Sequence, residues 1–292
     1  MRQFENSERP SAACAGETRQ QRSRKTYLMS DVHGQAGLFF RMLEKIDLRP
    51  QDALYILGDV VGKGPDALGI LRFLMERARA ASRTTAPITT ALGPTVLIRG
   101  NHEEKLLEYM CCGQAAETLT QAETLESEKV VLSESVFGLY SAEALRAWAA
   151  IDGASVLRQL RDCSLVEQLA VLHFLSETPL ALRTTFAGYD WLLLHGAPPI
   201  KAQGCLQADA SVLENRYASL AEPSHAGDGV IAAVGHTPTF RYGSQYSGKI
   251  IRTADKVLLD CGAGWGYALG CLRAEDGATF YVPCVPQHLS DF

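Results

Sequence analysis

A chain of 292 residues that is 47% hydrophobic can bury a sizeable core, and mixed α/β folds of this length are often a single domain. A net charge of -5 and a pI near 5.8 exclude a global attraction to nucleic acid or to an anionic membrane, and no apolar run reaches the ~18 residues of a bilayer span. The eight cysteines contain no C-x-x-C pair, which argues against a disulfide framework or a zinc knuckle and for reduced thiols in a cytoplasm.

Residues 1–25 are polar and charged, lack the apolar stretch of a secretion signal, and read as a disordered leader. The ordered chain then opens on three similar units. Thr26 to Met29 is an apolar run that stops at Ser30-Asp31-Val32-His33-Gly34. Leu38, Phe39, Met42, Leu43 and Ile46 follow at helical spacing. Leu54 to Leu57 runs into Gly58-Asp59-Val60-Val61-Gly62-Lys63-Gly64, and Pro65 then stands where a helix would begin, with Leu68, Leu71, Leu74 and Met75 as its buried stripe to about Ala80. Ser82 to Pro94 is a patternless connection. Thr95 to Ile98 runs into Arg99-Gly100-Asn101-His102 and a helix-forming run from Glu103. Strand, helix, strand, helix, strand, helix implies parallel pairing with crossovers, and polar groups at the carboxyl ends of buried strands are where open α/β sheets place their chemistry.

Cys111 to Lys129 has no strong period. Leu139 to Ile151, Ala154 to Leu160 and Leu165 to Ser176 each have helical spacing, so residues 111–178 form a helical insertion. Strands return at Leu180 to Phe186 and Trp191 to Leu194, the latter ending on His195-Gly196. Ala208 to Tyr217, carrying Arg216, reads as helical. Val230 to Val234 ends on Gly235-His236-Thr237-Pro238. Lys256 to Leu259, Ala268 to Arg273 and Thr279 to Val282 have the length and boundaries of antiparallel strands.

The series D-x-H-G, G-D-x-V, R-G-N-H-E, H-G and G-H-T, each after an apolar run, resembles the calcineurin-like metallophosphoesterases, and within them the phosphoprotein phosphatase branch with its bacterial relatives. Asp260-Cys261-Gly262-Ala263-Gly264-Trp265-Gly266 resembles the D-x-G-x-x-x-G of the bacterial members. The resemblance covers about Thr26 to about Pro283. It implies a four-layer α/β/β/α sandwich of two mixed sheets over residues 26–292, with the insertion at the rim of the site. Trp148 to Gly153 and Val171 to Leu175 look like that rim segment.

The resemblance also implies a ligand set for two divalent metal ions. Asp31 and His33 would hold the first, Asp59 would bridge, and Asn101, His195 and His236 would complete the second. Carboxylates, imidazoles and a carboxamide without cysteine suit manganese, with iron and zinc as alternatives. Two divalent cations over two aspartates leave net positive charge, so the site calls for an anionic substrate. The expected chemistry is in-line attack on phosphorus by a metal-activated hydroxide. His102 would protonate the leaving oxygen, and Arg216 would clamp the phosphate through its planar fork. Arg99 is a second guanidinium candidate, or else a structural residue. Lys63 stands where the family motif G-D-x-V-D-R-G has arginine.

Gly62 stands where that motif has the aspartate that orients the histidine. Without it, an anhydride is an easier substrate than a serine or threonine ester, because a phosphate leaves more readily than an alkoxide. The symmetrical diadenosine tetraphosphate hydrolases also lack that aspartate, and Gly64-Pro65-Asp66-Ala67-Leu68, Trp265-Gly266 and Cys271-Leu272-Arg273 resemble them. Gly235-His236-Thr237-Pro238 and the insertion instead resemble the bacterial protein phosphatases. A serine/threonine phosphoprotein is the first substrate expected and diadenosine tetraphosphate the alternative; a non-catalytic binding protein on the same fold is the third reading.

Overall fold

The computed structural model describes residues 23–83, 93–111, 138–199 and 210–284. Residues 1–22 of the expected leader, residues 112–137 of the insertion and three of the eight cysteines (14, 112 and 205) fall outside them.

Two five-stranded sheets organise the molecule. The first has the order β10-β9-β1-β2-β3, with β1 (Thr26–Met29), β2 (Ala53–Leu57) and β3 (Thr95–Ile98) parallel, and β9 (Ala268–Arg273) and β10 (Thr279–Pro283) antiparallel to their neighbours. The second has the order β4-β5-β6-β8-β7. It comprises β4 (Ala181–Phe186), β5 (Tyr189–Leu194), β6 (Val230–Val234), β7 (Ile251–Arg252) and β8 (Lys256–Leu258). Here β8 lies parallel to β6, not antiparallel to its neighbours as its length suggests; its antiparallel partner is the two-residue β7, too short to leave a pattern in the sequence.

Alternation along β1 and β2 divides the core. Leu28, Ala53, Tyr55, Leu57 and Ile98 face the second sheet, meeting Trp191, Leu193, Ala233 and Val257. Tyr27, Met29, Leu54, Ile56 and Leu97 face the helices. This is the period of two that lets one strand serve two apolar layers. The helices are α1 (Ala36–Lys45), α2 (Ala67–Arg83), α3 (Asn101–Cys111), α4 (Ala142–Ala150), α5 (Ala154–Arg161) and α6 (Leu165–Ser176). The two-sheet sandwich is as expected, but among the described residues the outer face of the second sheet is covered by irregular chain and 3-10 turns, with Tyr217, Ala226, Tyr242 and Tyr246 packing there.

Two boundaries differ from expectation for local reasons. Helix α2 begins after Asp66, whose Oδ1 accepts from Gly69 N at 2.7 Å, so Asp66 caps the helix and Pro65 precedes it. The segment carrying Arg216 is one 3-10 turn, Ala210–Leu213, followed by irregular chain.

Candidate metal centre

The ends of β1, β2, β3, β5 and β6 deliver Asp31, His33, Asp59, Asn101, His195 and His236 to one rim, all of them buried. Four of the six take left-handed backbone: Asp31 (φ 54°), His33 (φ 49°), Asp59 (φ 54°) and His236 (φ 64°). Non-glycine residues rarely hold that conformation, at a cost of about 1–3 kcal/mol each, and it clusters at functional sites. Neighbouring glycines make room: a Cβ on Gly58 would sit 2.5 Å from His195 Nδ1.

Hydrogen bonds aim the candidate ligands inward. His195 Nδ1 meets the Leu57 carbonyl at 2.8 Å, so it carries the proton there and turns Nε2 to the cluster, 3.1 Å from Asn101 Oδ1 and 3.4 Å from Asp59 Oδ1. The Asn101 amide donates to Glu214 Oε1 at 2.9 Å, which leaves its carbonyl oxygen facing His195. Asp59 Oδ1 accepts from His102 N at 3.0 Å, and Asp31 Oδ2 accepts from His236 N at 2.9 Å and from the Ser30 hydroxyl. The other Asp31 oxygen is buried with no hydrogen-bond partner, and His33 Nε2 lies 3.9 Å from it and 3.7 Å from Asp59 Oδ2.

An unpartnered buried carboxylate oxygen facing an imidazole nitrogen is what a cation would satisfy. Two triads among the described residues have metal-ligand spacing: His33, Asp59 and His102, and Asp59, His195 and His236. Asp59 belongs to both, the place a bridging ligand takes. The residues therefore fit a pair of divalent ions.

The charges of the metal-free cluster agree. Burial pushes the Asp31 carboxyl up to about 7 and the His33 imidazole down to about 4. Burial opposes ionisation of Asp59, but His195 and His102 more than reverse this and hold it well below the usual carboxylate range. Burial likewise lowers His195, and Asp59 overrides it to raise the imidazole to about 10. An ionised aspartate that draws a cationic histidine is a site with an unmet demand for positive charge.

Around the cluster is a cavity of about 160 Å³ whose lining includes His102, Lys63, Arg216, Arg241, Asp260 and Trp265. It is below the ~300 Å³ of pockets that enclose a whole small molecule, so a ligand of that size would lie partly outside it. Arg216 stands at that mouth with its Nε donating to His236 Nε2 at 3.1 Å. Lys63 Nζ sits 4.0 Å above the Trp265 ring, in cation–π contact.

Arg99 is elsewhere. Its guanidinium donates to Glu104 Oε2 at 3.0 Å, to the Ser176 and Thr178 carbonyls at 2.6 and 3.0 Å, and to the Thr178 hydroxyl at 3.2 Å. It ties α3 to the end of α6 and does not line the cavity.

Three residues beside the centre were given no individual role from sequence, Trp148 being named only as the start of the rim segment. Glu103 accepts four backbone N–H groups, Glu214 holds Asn101, and Trp148 hydrogen-bonds His102. A glutamate in the first turn of a helix reads as an ordinary dipole partner, and a tryptophan at helical spacing as core.

The family model for calcineurin-like phosphoesterases matches residues 24–259, and the chain belongs to that family. It is therefore a metal-dependent phosphoesterase by class. Among curated relatives, a symmetrical bis(5'-nucleosyl)-tetraphosphatase of Nitrosomonas europaea is 24% identical over 276 residues, covering 89% of this chain and 98% of its own. One of Enterobacter sp. is 37% identical over 84 residues, covering 28% of this chain and 24% of its own. The solved structure of a putative diadenosine tetraphosphatase superposes with a TM-score of 0.55 at 16% identity, covering 90% of this chain and 95% of that one. A cold-active protein-tyrosine phosphatase of a psychrophilic Shewanella reaches 0.50 at 14% identity, covering 88% and 80%. At such identities these two structures share the fold.

Proposed function

We propose that this protein hydrolyses the phosphoanhydride of a dinucleoside polyphosphate, diadenosine tetraphosphate above all, using two divalent ions with manganese as the first candidate. The reading reverses the order expected from sequence, in which a serine/threonine phosphoprotein came first. One observation carries it. At the position where the protein phosphatases have the aspartate that serves their histidine acid, Gly62 leaves no space for a side chain: its φ is 104° and a Cβ would lie 2.5 Å from His102 Nδ1. No carboxylate at this position can orient His102 and keep it protonated as an acid, so the favoured substrate is one whose leaving group is a stable anion. The end-to-end similarity to tetraphosphatases supports the same substrate class.

Held by Asp31, His33, Asp59, Asn101, His195 and His236, the ions would supply a water acidified toward neutral pH and positive charge facing the phosphoryl oxygens. The protein's own groups would do the rest. His102 faces the leaving oxygen, while Lys63 and Arg216 meet the outer phosphates at the mouth. Trp265, 54% exposed on a turn between the left-handed glycines Gly262 and Gly266, offers an indole face to a nucleobase. No described helix is long and apolar enough to cross a membrane. Cys163, Cys261, Cys271 and Cys284 are free thiols, as a reducing compartment would keep them.

Competing diadenosine tetraphosphate against a phosphoserine peptide tests the reading. A kcat/KM favouring the dinucleotide by more than about tenfold, equal to roughly 1.4 kcal/mol in the barrier, is expected. Equal or reversed preference would overturn it.

A further inference from the structure

A buried hydrogen bond joins the helical insertion to the centre. Trp148 Nε1, on α4, lies 3.0 Å from His102 Nδ1, with the two rings inclined at 71°. The indole has little freedom to leave: Tyr109 meets it edge-on at 6.4 Å between centroids, and Gly153 packs so closely that a Cβ there would fall 2.7 Å from the ring. An indole N–H can only donate. His102 Nδ1 must therefore be the unprotonated nitrogen, and the proton of the neutral ring sits on Nε2.

That settles a choice the distances alone leave open. His102 shares metal-ligand spacing with His33 and Asp59, so its Nε2 has the reach to be a ligand. A neutral imidazole coordinates through its bare nitrogen, and here the bare nitrogen is turned away, against Trp148. Nε2–H instead faces the cluster, 3.9 Å from Asp59 Oδ2.

We propose that Trp148 is a positioning residue that locks His102 as its Nε2–H tautomer, keeping it out of the metal coordination shell and presenting it to the substrate as a neutral hydrogen-bond donor. Such a donor stabilises charge as the bond from phosphorus to the leaving oxygen breaks, and the proton stays on His102. It therefore suits a phosphate or aryl oxide leaving group and not an alkoxide. The inference rests on the two-metal phosphoesterase reading for its consequence, but the tautomer is a property of the chain itself and can be read without turnover.

The test uses the full chain with isotope-labelled histidine. Nitrogen NMR of the metal-free protein is expected to show His102 Nδ1 unprotonated and Nε2 bearing hydrogen. In the cadmium-loaded protein, His33, His195 and His236 should couple to the metal and His102 should not. A proton on Nδ1, or coupling of His102 to cadmium, would overturn the proposal while leaving the substrate reading intact. In Trp148→Phe, the loss of the lock should lower kcat on phenyl phosphate about tenfold or more, with KM within about twofold, and on p-nitrophenyl phosphate by less than about threefold, since the better leaving group needs less help. An equal loss on both substrates would mean that Trp148 only fills space. Should the variant fail to fold, the two spectra of the wild-type chain decide the question.

Discussion

The Glu103 carboxylate and the Asp59 backbone amide meet at 2.7 Å, across the gap between the first turn of α3 and the end of β2. The same carboxylate accepts from Val60, Val61 and Gly100 at 2.8, 3.0 and 2.8 Å. One side chain thus holds two strand-end loops, and with them the left-handed backbone that presents Asp59. An amide in its place would turn an NH2 group toward backbone donors. Glu103→Gln is expected to destabilise the protein by about 1–3 kcal/mol, the cost of leaving buried donors unpaired. Urea unfolding of the metal-free protein measures this; a change below about 0.5 kcal/mol, the scatter of ordinary surface substitutions, would contradict it.

Metal uptake should release protons in a pH-dependent number. In the metal-free protein burial raises Asp31 to about 7, and His195, lowered by burial but raised further by Asp59, stays protonated to about 10. A metal needs both groups deprotonated, so below about 7 both lose a proton on binding, and between about 7 and about 10 only His195 does. Apparent affinity therefore rises with pH throughout, and more steeply below pH 7. Calorimetric titrations with manganese in buffers of different ionisation heat count the protons. A number that does not change across pH 7 would contradict the assignment of Asp31.

Trp265→Ala should act on the dinucleotide alone. Base–aromatic stacking is worth about 1–3 kcal/mol per base, so KM for diadenosine tetraphosphate should rise roughly tenfold or more, with p-nitrophenyl phosphate hydrolysis unchanged. Equal effects on both substrates would mean that the residue merely supports Lys63, which lies over its ring.

Restoring the aspartate of the protein-phosphatase motif looks attractive from sequence and should fail in the structure. Gly62→Asp forces a side chain into left-handed backbone and against His102, in space that only a missing Cβ leaves open. Turnover on alkyl and aryl phosphates alike is expected to fall, with a lower Tm. A gain on alkyl phosphates would show that His102 and Trp148 can move apart to admit a carboxylate.

What could be read in the sequence was whatever a short stretch encodes by itself. β6, β9 and α6 have the bounds expected, and each metal-ligand candidate lies within four residues of the end of an apolar strand, a pattern visible without coordinates. Pairing across distance was not visible. Trp148 sits among Ala and Leu at helical spacing and gives no sign of a partner 46 residues away. Glu214 follows a 3-10 turn where helix was expected, and its link to Asn101 spans 113 residues. The parallel seat of β8 depends on the connection from β6, whose turns carry no signal of sheet order. Arg99 was open between phosphate and structure because a guanidinium beside a glycine suits either; its acceptors on α6 and the following turn were not visible in the sequence.

The most direct test of the account is the metal content of the wild type and of Asp59→Asn after equilibration with manganese and removal of free ions. Asp59 alone belongs to both triads. The wild type should retain about two ions per chain, the stoichiometry of a two-metal phosphoryl centre, and the variant fewer than about one. A wild type that retains none, or a variant that keeps both, would contradict a bridged pair of ions at this rim.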